Sequence, residues 1–354
     1  MFIVDSIDAR LGRFAPRGWV FRGGALWFPK DATSRGCSES FWEVFMGFGQ
    51  LEVEFLLHEH RYQPFVGEAL SIGKQAIAMK PESMIDLLKA YKIEPKTTSF
   101  KLDKKNWHNA PGSGWITDES FFASFAECKL FSADISDYEG ADFIFDICSE
   151  VPPELIGRFD FLMDGGSLDN VWDPPQMLRN MTKMLKPGGR IFVYAWSNSF
   201  PTAYLKITPD WIMDYFAANE FADAKVYMAH HPSIARGEKS LSMWHFEPIT
   251  RPSLGDGFRR MISVAMRPDR PADVEGEGRF QVFCMAQKGD ASTDNRMPIQ
   301  WQYRLDSQPY LKSEKAFKQS KRPIFDSPTG YGGPLSDLPP IGSWGTLKPV
   351  ACWG

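Results

Sequence analysis

The amino-acid sequence predicts an α/β protein whose central domain is a doubly wound, mainly parallel sheet. The first observation is that, from Val66 onwards, short apolar runs alternate with segments of helical periodicity, which is typical of βα units. The second is that several of these runs end in an acidic residue or in glycine. Because ligands of such sheets bind beyond the carboxyl ends of the strands, these positions form the expected site.

Seven apolar runs are predicted to be the strands of this sheet. In chain order they are Val66–Ile72, Leu130–Ala133, Phe143–Ile147, Phe159–Met163, Arg190–Ala195, Ala224–Met228 and Phe280–Ala286. The segments between them predict four helices, at Pro81–Tyr91, Asp118–Phe125, Pro174–Leu185 and Pro209–Asn219. Either Thr117 or Asp118 is expected to cap the second helix, because both side chains can accept a hydrogen bond from a free backbone N–H.

The segments on either side of the predicted domain, which spans 61–289, lack this alternation. Residues 1–60 are rich in aromatic residues and glycine, and they predict a cap or substrate-side segment with a short helix at Ser40–Phe48. Residues 290–354 are rich in Pro, Gly, Ser and Lys, which predicts an irregular C-terminal tail. The aromatic residues of this tail indicate packing on its own domain or on a neighbouring subunit, so a homo-oligomer or a protein partner stays open.

Composition and charge narrow the class of protein. A length of 354 residues with 43% hydrophobic residues allows one large core. A net charge of −4 provides no basic field, so nucleic-acid binding is not expected. Five scattered cysteines without a C-x-x-C pair predict neither a disulfide framework nor a zinc site. Neither a signal peptide nor an apolar run of about eighteen residues is present, so we expect a cytoplasmic protein without membrane insertion.

Two acidic positions follow neighbouring strands of the predicted sheet. Asp134 ends the second strand, where a carboxylate can accept hydrogen bonds from both hydroxyls of a ribose, and Ile135 follows it. Asp146 and Ile147 follow the third strand, where the isoleucine could lie against an adenine ring while Asp146 contacts its amine. The alternative for both aspartates is a structural role in a turn or a helix cap.

A third group closes the fourth strand and consists of Asp164, Gly165 and Gly166. Two adjacent glycines allow a ligand to approach the backbone closely, because no Cβ atom stands in its way. The alternative is a tight turn between a strand and a helix without any ligand contact. We therefore predict that this loop borders the ligand site.

The same region carries a resemblance to a known family. The run FDFLMDGGSLDNVWDPPQMLRNMTKMLKPGGRIFVY resembles the fourth and fifth strand region of class I S-adenosylmethionine-dependent methyltransferases. TDESFFASF and SADISDYEGADFIFDICSEVP are similar to bacterial methyltransferase-like proteins associated with surface glycan biosynthesis. The resemblance covers about residues 66–230. It implies a Rossmann-like sheet of seven strands with an antiparallel last strand, S-adenosylmethionine as cofactor, and methylation of a small-molecule or glycan hydroxyl or amine.

One feature departs from the pattern of that family. Most members carry G-x-G-x-G after the first strand, where backbone amides approach the methionine part of the cofactor. Here Gly73 is the only glycine, and Lys74 and Gln75 follow it. These two side chains either contact the cofactor carboxylate or fill the pocket. A catalytically silent scaffold or regulatory subunit is therefore the alternative function, while a nicotinamide-dependent oxidoreductase is disfavoured because no G-x-G-x-x-G follows any strand.

Catalytic candidates are few, because methyl transfer is a direct displacement in which alignment supplies much of the acceleration. A base is required only if the acceptor must lose a proton. We predict Asp164, Asp169 and His230 as catalytic residues, and the last of these follows the sixth strand on the expected substrate side. His58 and His60 could share one face of a strand, but no carboxylate pattern accompanies them, so no metal site is predicted.

Overall fold

The computed structural model describes residues 47–103, 113–198, 203–231, 241–248, 279–300, 304, 308–328, 342–343 and 345–353, together with two short strands near the N-terminus. The chain divides into two units, Met1–Val44 and Phe45–Gly354. In the first unit, β1 (Val20–Arg22) pairs antiparallel with β2 (Ala25–Trp27). The predicted helix Ser40–Phe48 lies outside the described residues except for its last two positions.

The second unit is built on one large sheet. Its strands are β3 (Val66–Ile72), β6 (Glu127–Asp134), β7 (Phe143–Ile144), β8 (Phe159–Gly165), β9 (Leu185–Trp196), β10 (Asp223–His231), β11 (Leu241–Pro248), β12 (Arg279–Gln287), β13 (Gly342–Ser343) and β14 (Gly345–Trp353). A separate antiparallel pair consists of β4 (Ala76–Ile77) and β5 (Ile116–Thr117). Each of the seven predicted strands has a counterpart in the sheet, but their bounds differ in places. Strand β9 begins at Leu185 rather than at Arg190, and β7 ends at Ile144 rather than at Ile147 because a turn begins at Asp146.

The order of the strands explains where a ligand can bind. Across the sheet they run β13-β14-β11-β10-β12-β9-β8-β3-β6-β7. Strands β7, β6, β3, β8 and β9 are parallel, and β12 is antiparallel to both β9 and β10. The prediction of a mainly parallel sheet with an antiparallel last strand is therefore confirmed. From β3 the chain forms β6 and β7 on one side, and it then crosses back to form β8 on the other side of β3. The topological switch point therefore lies between β3 and β8.

Six helices flank the sheet in the described part of the chain. They are α1 (Gln50–Tyr62), α2 (Pro81–Ala90), α3 (Asp118–Ala123), α4 (Pro174–Met184), α5 (Pro209–Ala218) and α6 (Gln308–Gln319). The four predicted helices are confirmed to within two residues at each end. The Oγ1 atom of Thr117 accepts from Ser120 N at 3.1 Å, so Thr117 is the cap of α3. None of these helices combines the length and the apolar character needed to span a bilayer.

Two hydrophobic cores cover the two faces of the sheet. Helices α4, α5 and α6 pack on one face, with Met181, Phe216 and Phe317 fully or almost fully buried. Helices α1, α2 and α3 pack on the other face, with Phe55 and Phe122 among their buried side chains. Because both faces are covered, the parallel strands are apolar on both sides, which is why they were recognisable as continuous apolar runs.

The structure corrects two expectations about the flanking segments. Residues 50–60, which the sequence analysis assigned to a cap or substrate-side segment, belong to α1, and His58 and His60 therefore lie on a helix and not on a strand. The tail is not irregular throughout, because it contains α6 and β14. Strand β14 pairs with β11, so the sheet has three strands (β11, β13 and β14) more than the seven predicted.

Candidate functional site

The carboxyl ends of β3 and β6 bring Gly73 and Asp134 together. Gly73 turns the chain with a φ of +71°, and its N–H donates to Ala133 O at 2.7 Å. A Cβ atom at Gly73 would lie 4.0 Å from Asp134 Oδ2, while Asp134 Oδ1 accepts from Ser136 N at 3.1 Å. The predicted ribose carboxylate thus lies beside the one glycine of the loop. Ile135 is 72% exposed at the same edge.

The loop after β7 lies next to Asp134, because Phe145 N donates to Asp134 O at 2.9 Å. Asp146 is exposed and accepts from Cys148 N at 2.8 Å and from Ser149 Oγ at 3.2 Å. Ile147 is half-buried and packs against the core under α4. Asp146 therefore organises a turn, and its contact with an adenine ring stays a prediction.

The loop after β8 is held by its own aspartate. Asp164 is fully buried, and its carboxylate accepts from Ser167 N at 2.8 Å and from Leu168 N at 3.0 Å. Burial raises the pKa of Asp164 to about 7, although these two N–H groups act in the opposite direction. Gly166 has a φ of +98° and lies against the ring of Tyr194. The backbone of this loop is thus fixed before any ligand arrives.

Gln75 lies across the switch point between β3 and β8. It is only 6% exposed, and its Nε2 donates to Ile72 O at 3.0 Å, with longer contacts to Gly73 O and to Ser71 Oγ. A Cβ atom at Gly165 would be 1.9 Å from Gln75 Oε1. In this structure the carboxamide of Gln75 lies over the end of β3 and against Gly165, and its contact with a cofactor carboxylate stays a prediction. The packing of Gln75 on Gly165 was not predicted, because nothing in the sequence links these two positions.

A cavity of about 880 Å³ opens beside the loop that follows β3, and Lys74 and Gln75 of this loop line it. Its walls carry seven side chains that end in a carboxyl or an amino group, Lys74, Lys101, Asp103, Asp118, Glu119, Asp137 and Glu139. Lys74 Nζ lies 3.7 Å from Glu119 Oε1, so part of its charge is already compensated. Burial is the main cause that raises the pKa of Asp118 and of Glu139. With five acidic and two basic groups, the cavity favours hydroxyl-bearing or cationic groups over anions.

The remaining candidates lie at the same edge but towards β9, β12 and β10. Asp169 is fully buried, and its Oδ2 accepts from Trp196 N at 2.6 Å. Burial raises the pKa of Asp169 to about 7. The ring of His230 lies 4.7 Å from that of Phe280, measured between centroids. His231 Nε2 bonds Gln281 Oε1, and burial lowers its pKa to about 4, so the imidazole is neutral at pH 7.

The three predicted catalytic residues, Asp164, Asp169 and His230, differ in their exposure to solvent. Asp164 and Asp169 are closed off from solvent and hold backbone N–H groups, so in this structure they shape loops and present no oxygen to an acceptor. His230 is half-buried at the end of β10. A catalytic role for any of the three stays a prediction. Within the described residues, no group of three His, Cys, Asp or Glu side chains is arranged to hold a metal ion.

The topology and the site together define the class of protein at the level of its fold. The sheet contains the five parallel strands β7, β6, β3, β8 and β9, then antiparallel β12, and then β10, which again runs parallel to the five. With its switch point between β3 and β8, it is the Rossmann-like sheet that the resemblance to class I methyltransferases implies. The fold prediction is therefore confirmed. No protein-family model matches the chain, and no curated protein matches it in sequence.

Comparison with solved structures finds distant similarities. Phosphoethanolamine N-methyltransferase 2 of Haemonchus contortus with S-adenosyl-L-methionine is 12% identical over 68% of this chain and 53% of that chain, with a TM-score of 0.33. The 1,6-didemethyltoxoflavin-N1-methyltransferase of Burkholderia thailandensis is 13% identical over 67% and 77%, with a TM-score of 0.31. The YcgJ protein of Bacillus subtilis is 11% identical over 68% and 100%, with a TM-score of 0.35.

The extent of these matches limits what they say. This chain spans about half the length of the Haemonchus enzyme, at 53%. TM-scores of 0.31 to 0.35 are too low for any of the three proteins to indicate an activity or a substrate of this chain.

Proposed function

We propose that the chain binds S-adenosylmethionine at the carboxyl ends of β3, β6 and β8 and transfers its methyl group to a hydroxyl or amine of a small molecule or glycan. The observation that carries the proposal is the position of Asp134 beside the Gly73 turn, next to the switch point of a sheet with this topology. A carboxylate there accepts both hydroxyls of a ribose, and a glycine leaves room for the sugar.

The described residues fit the nucleoside part of this cofactor. Asp134 would bind the ribose, while Ile135, Asp146 and Ile147 would border the adenine. Gly165 and Gly166 lie on the opposite side of the switch point, where the loop is fixed by Asp164. The bound cofactor supplies a methyl carbon activated by its sulfonium. The chain would supply alignment, and His230, near the end of β10, would face the acceptor.

The acidic cavity supports the acceptor class within this proposal. Five carboxyl groups against two ammonium groups favour an acceptor that is neutral or cationic, such as a sugar hydroxyl or an amine. Lys74 would face the cofactor carboxylate if its weak pairing with Glu119 opened. A glycan acceptor, a cytoplasmic location and a protein partner at the tail belong to the same proposal and rest on the sequence alone.

Calorimetric titration with S-adenosylhomocysteine tests the cofactor site. We expect wild-type protein to bind, and Asp134→Asn to weaken binding by about tenfold or more, because a hydrogen bond to a charged group contributes about 1.5–3 kcal/mol. Asp86→Asn is the matched control, since Asp86 is exposed on α2 and makes only a surface pair with Lys89. Equal binding by both variants would reject the ribose role of Asp134.

A second candidate function is a catalytically silent module of the same fold. The specific observation in its favour is the Gln75 side chain, which occupies the crevice in which the methionine part of the cofactor would lie. If the chain is a catalytically silent module, the folded protein is expected to bind neither S-adenosylmethionine nor S-adenosylhomocysteine. The same titration therefore separates the two functions.

A further inference from the structure

Gln75 is held from two directions at the switch point. Its backbone N donates to Asp118 Oδ2 at 3.2 Å, which ties the start of the side chain to α3. Its carboxamide reaches back over the end of β3, where Nε2 donates to Ile72 O at 3.0 Å. Because Ile72 is the register partner of Asp164 on β8, the carboxamide spans the two strands that define the crevice.

Gly165 is the residue that makes this arrangement possible. It lacks a positive φ, so its backbone would accept any side chain, but a Cβ atom there would lie 1.9 Å from Gln75 Oε1 and 3.0 Å from Gln75 Nε2. The space that the absent Cβ provides is thus filled by the protein's own carboxamide. A ligand group and this carboxamide cannot occupy the same space, so one must leave when the other enters.

The neighbouring cavity offers the carboxamide a place to go. Gln75 lines both the crevice and the 880 Å³ cavity, and Asp118, which holds its backbone, lines the same cavity. Rotation about the side-chain bonds of Gln75 can therefore carry its amide from one space to the other while the backbone stays fixed. Lys101 and Asp103 also line this cavity, so its walls carry groups of the kind that hydrogen-bond a carboxamide.

We propose that Gln75 is a specificity-determining gate, which closes the part of the crevice that the amino-acid end of an S-adenosylmethionine-like ligand requires. The inference rests on the proposed function. Ligands that end at the thioether of the nucleoside bind beside Gly73 and Asp134 without moving Gln75. Ligands with an amino-acid end bind only after the carboxamide has swung into the cavity, so their apparent affinity is reduced by the fraction of protein in the open conformation.

Two ligands that share one nucleoside test this gate by calorimetric titration. S-adenosylhomocysteine carries the amino-acid end, and 5′-methylthioadenosine lacks it. We expect Gln75→Ala to bind S-adenosylhomocysteine about tenfold tighter or more than wild type does, because minor conformations are typically populated at about 10% or less. The affinity for 5′-methylthioadenosine is expected to be unchanged. Gln319→Ala, an identical change on the exposed face of α6, should alter neither affinity.

Three other outcomes decide against the gate. Equal affinity of wild type and Gln75→Ala for S-adenosylhomocysteine overturns it and leaves the proposed function intact. Weaker binding of both ligands by Gln75→Ala shows that the side chain only supports the Gly73 turn. If Gln75→Ala does not fold, Gln75→Asn withdraws the carboxamide by one methylene and is expected to shift affinity in the same direction. If no folded variant binds either ligand, the gate and the proposed function both fail.

Discussion

At the scale of single residues, burial determines what the predicted acidic candidates do. Asp164 lies near the end of β8 and Asp169 in the loop that follows it, but each is enclosed and has a pKa near 7. A buried carboxyl group with a raised pKa binds a proton more tightly in the folded state than in the unfolded state. Folding therefore gains from its protonation at low pH, and that gain is lost as the pH rises through about 7.

Asp169→Asn should expose this dependence. Between about pH 4 and pH 7, the free energy of unfolding of wild type should fall relative to that of the variant, by at most about 1.4 kcal/mol per pH unit. The amide has no charge, so its own contribution is constant over this range, while Asp164, whose charge also raises the pKa of Asp169, is present in both proteins. Urea unfolding at several pH values measures the difference. A difference that does not change with pH would show that Asp169 titrates normally.

The contact between Gly165 and Gln75 makes a second prediction at this scale. Gly165→Ala places a methyl group against the carboxamide of Gln75 and should destabilise the protein by about 1–3 kcal/mol through overpacking. In the presence of Gln75→Ala the same change should cost much less, because the obstructing group is gone. A double-mutant cycle by urea unfolding should thus give a coupling of about 0.5–3 kcal/mol. Simple additivity would mean that the two side chains do not share this space.

At the scale of elements, the sequence predicted those whose burial follows a regular period. Strand β8 is apolar on both faces and α4 on one, so both were recognisable from spacing alone. Helix α1 was missed because Glu52, Glu54, His58 and Glu59 are buried among its apolar residues, which removes the amphipathic pattern. Glu54 and Glu59 also have partners far away in the chain, among them Tyr91 for Glu54 and Arg322 for Glu59. The gate formed by Gln75 was beyond prediction for the same reason, since its contact with Gly165 depends on the folded sheet.

The charges buried on α1 explain how the tail is attached. Arg322 is 3% exposed, and it bonds Glu59 of α1 and, at 2.6 Å, Asp223 Oδ2 at the start of β10. Arg190 Nη1 also lies 3.6 Å from Glu59 Oε2. Removal of one member of such a buried group leaves opposite charges without compensation, which is more costly than the group is favourable.

Arg322→Gln should therefore lower the free energy of unfolding by about 3–5 kcal/mol. Arg296→Gln is a matched control, because Arg296 pairs with Glu220 but is 44% exposed, and exposed pairs contribute about 0–1 kcal/mol. Urea unfolding of both variants gives the comparison. Similar small losses for the two arginines would show that the contacts of Arg322 do not anchor the tail.

At the scale of the whole molecule, the C-terminal segment belongs to both cores of the sheet domain. On one face, Tyr310 and Phe317 of α6 are buried with α5. On the other face, Phe325 is buried against Phe55 of α1, and its N–H donates to Tyr227 Oη at 3.0 Å. The Pro- and Gly-rich composition predicted an irregular tail and gave no measure of burial, whereas the described part of the tail contains α6 and β14. Packing of the tail on its own domain is the alternative that the structure shows.

A chain shortened to end at Gly289 tests this view of the molecule. It would lose the buried side chains of Tyr310, Phe317 and Phe325, each of which contributes about 3–5 kcal/mol when fully buried, and it would leave Glu59 and Asp223 without Arg322. These losses together reach the whole stability of a typical domain, about 5–15 kcal/mol. We therefore expect no cooperative thermal unfolding of the shortened chain, measured by circular dichroism, whereas a chain that ends at Pro328 keeps all of these contacts and should still unfold cooperatively. Unchanged melting of the chain that ends at Gly289 would show that the sheet domain folds without its tail, and the packing of Phe325 and Arg322 would then be a consequence of folding and not one of its causes.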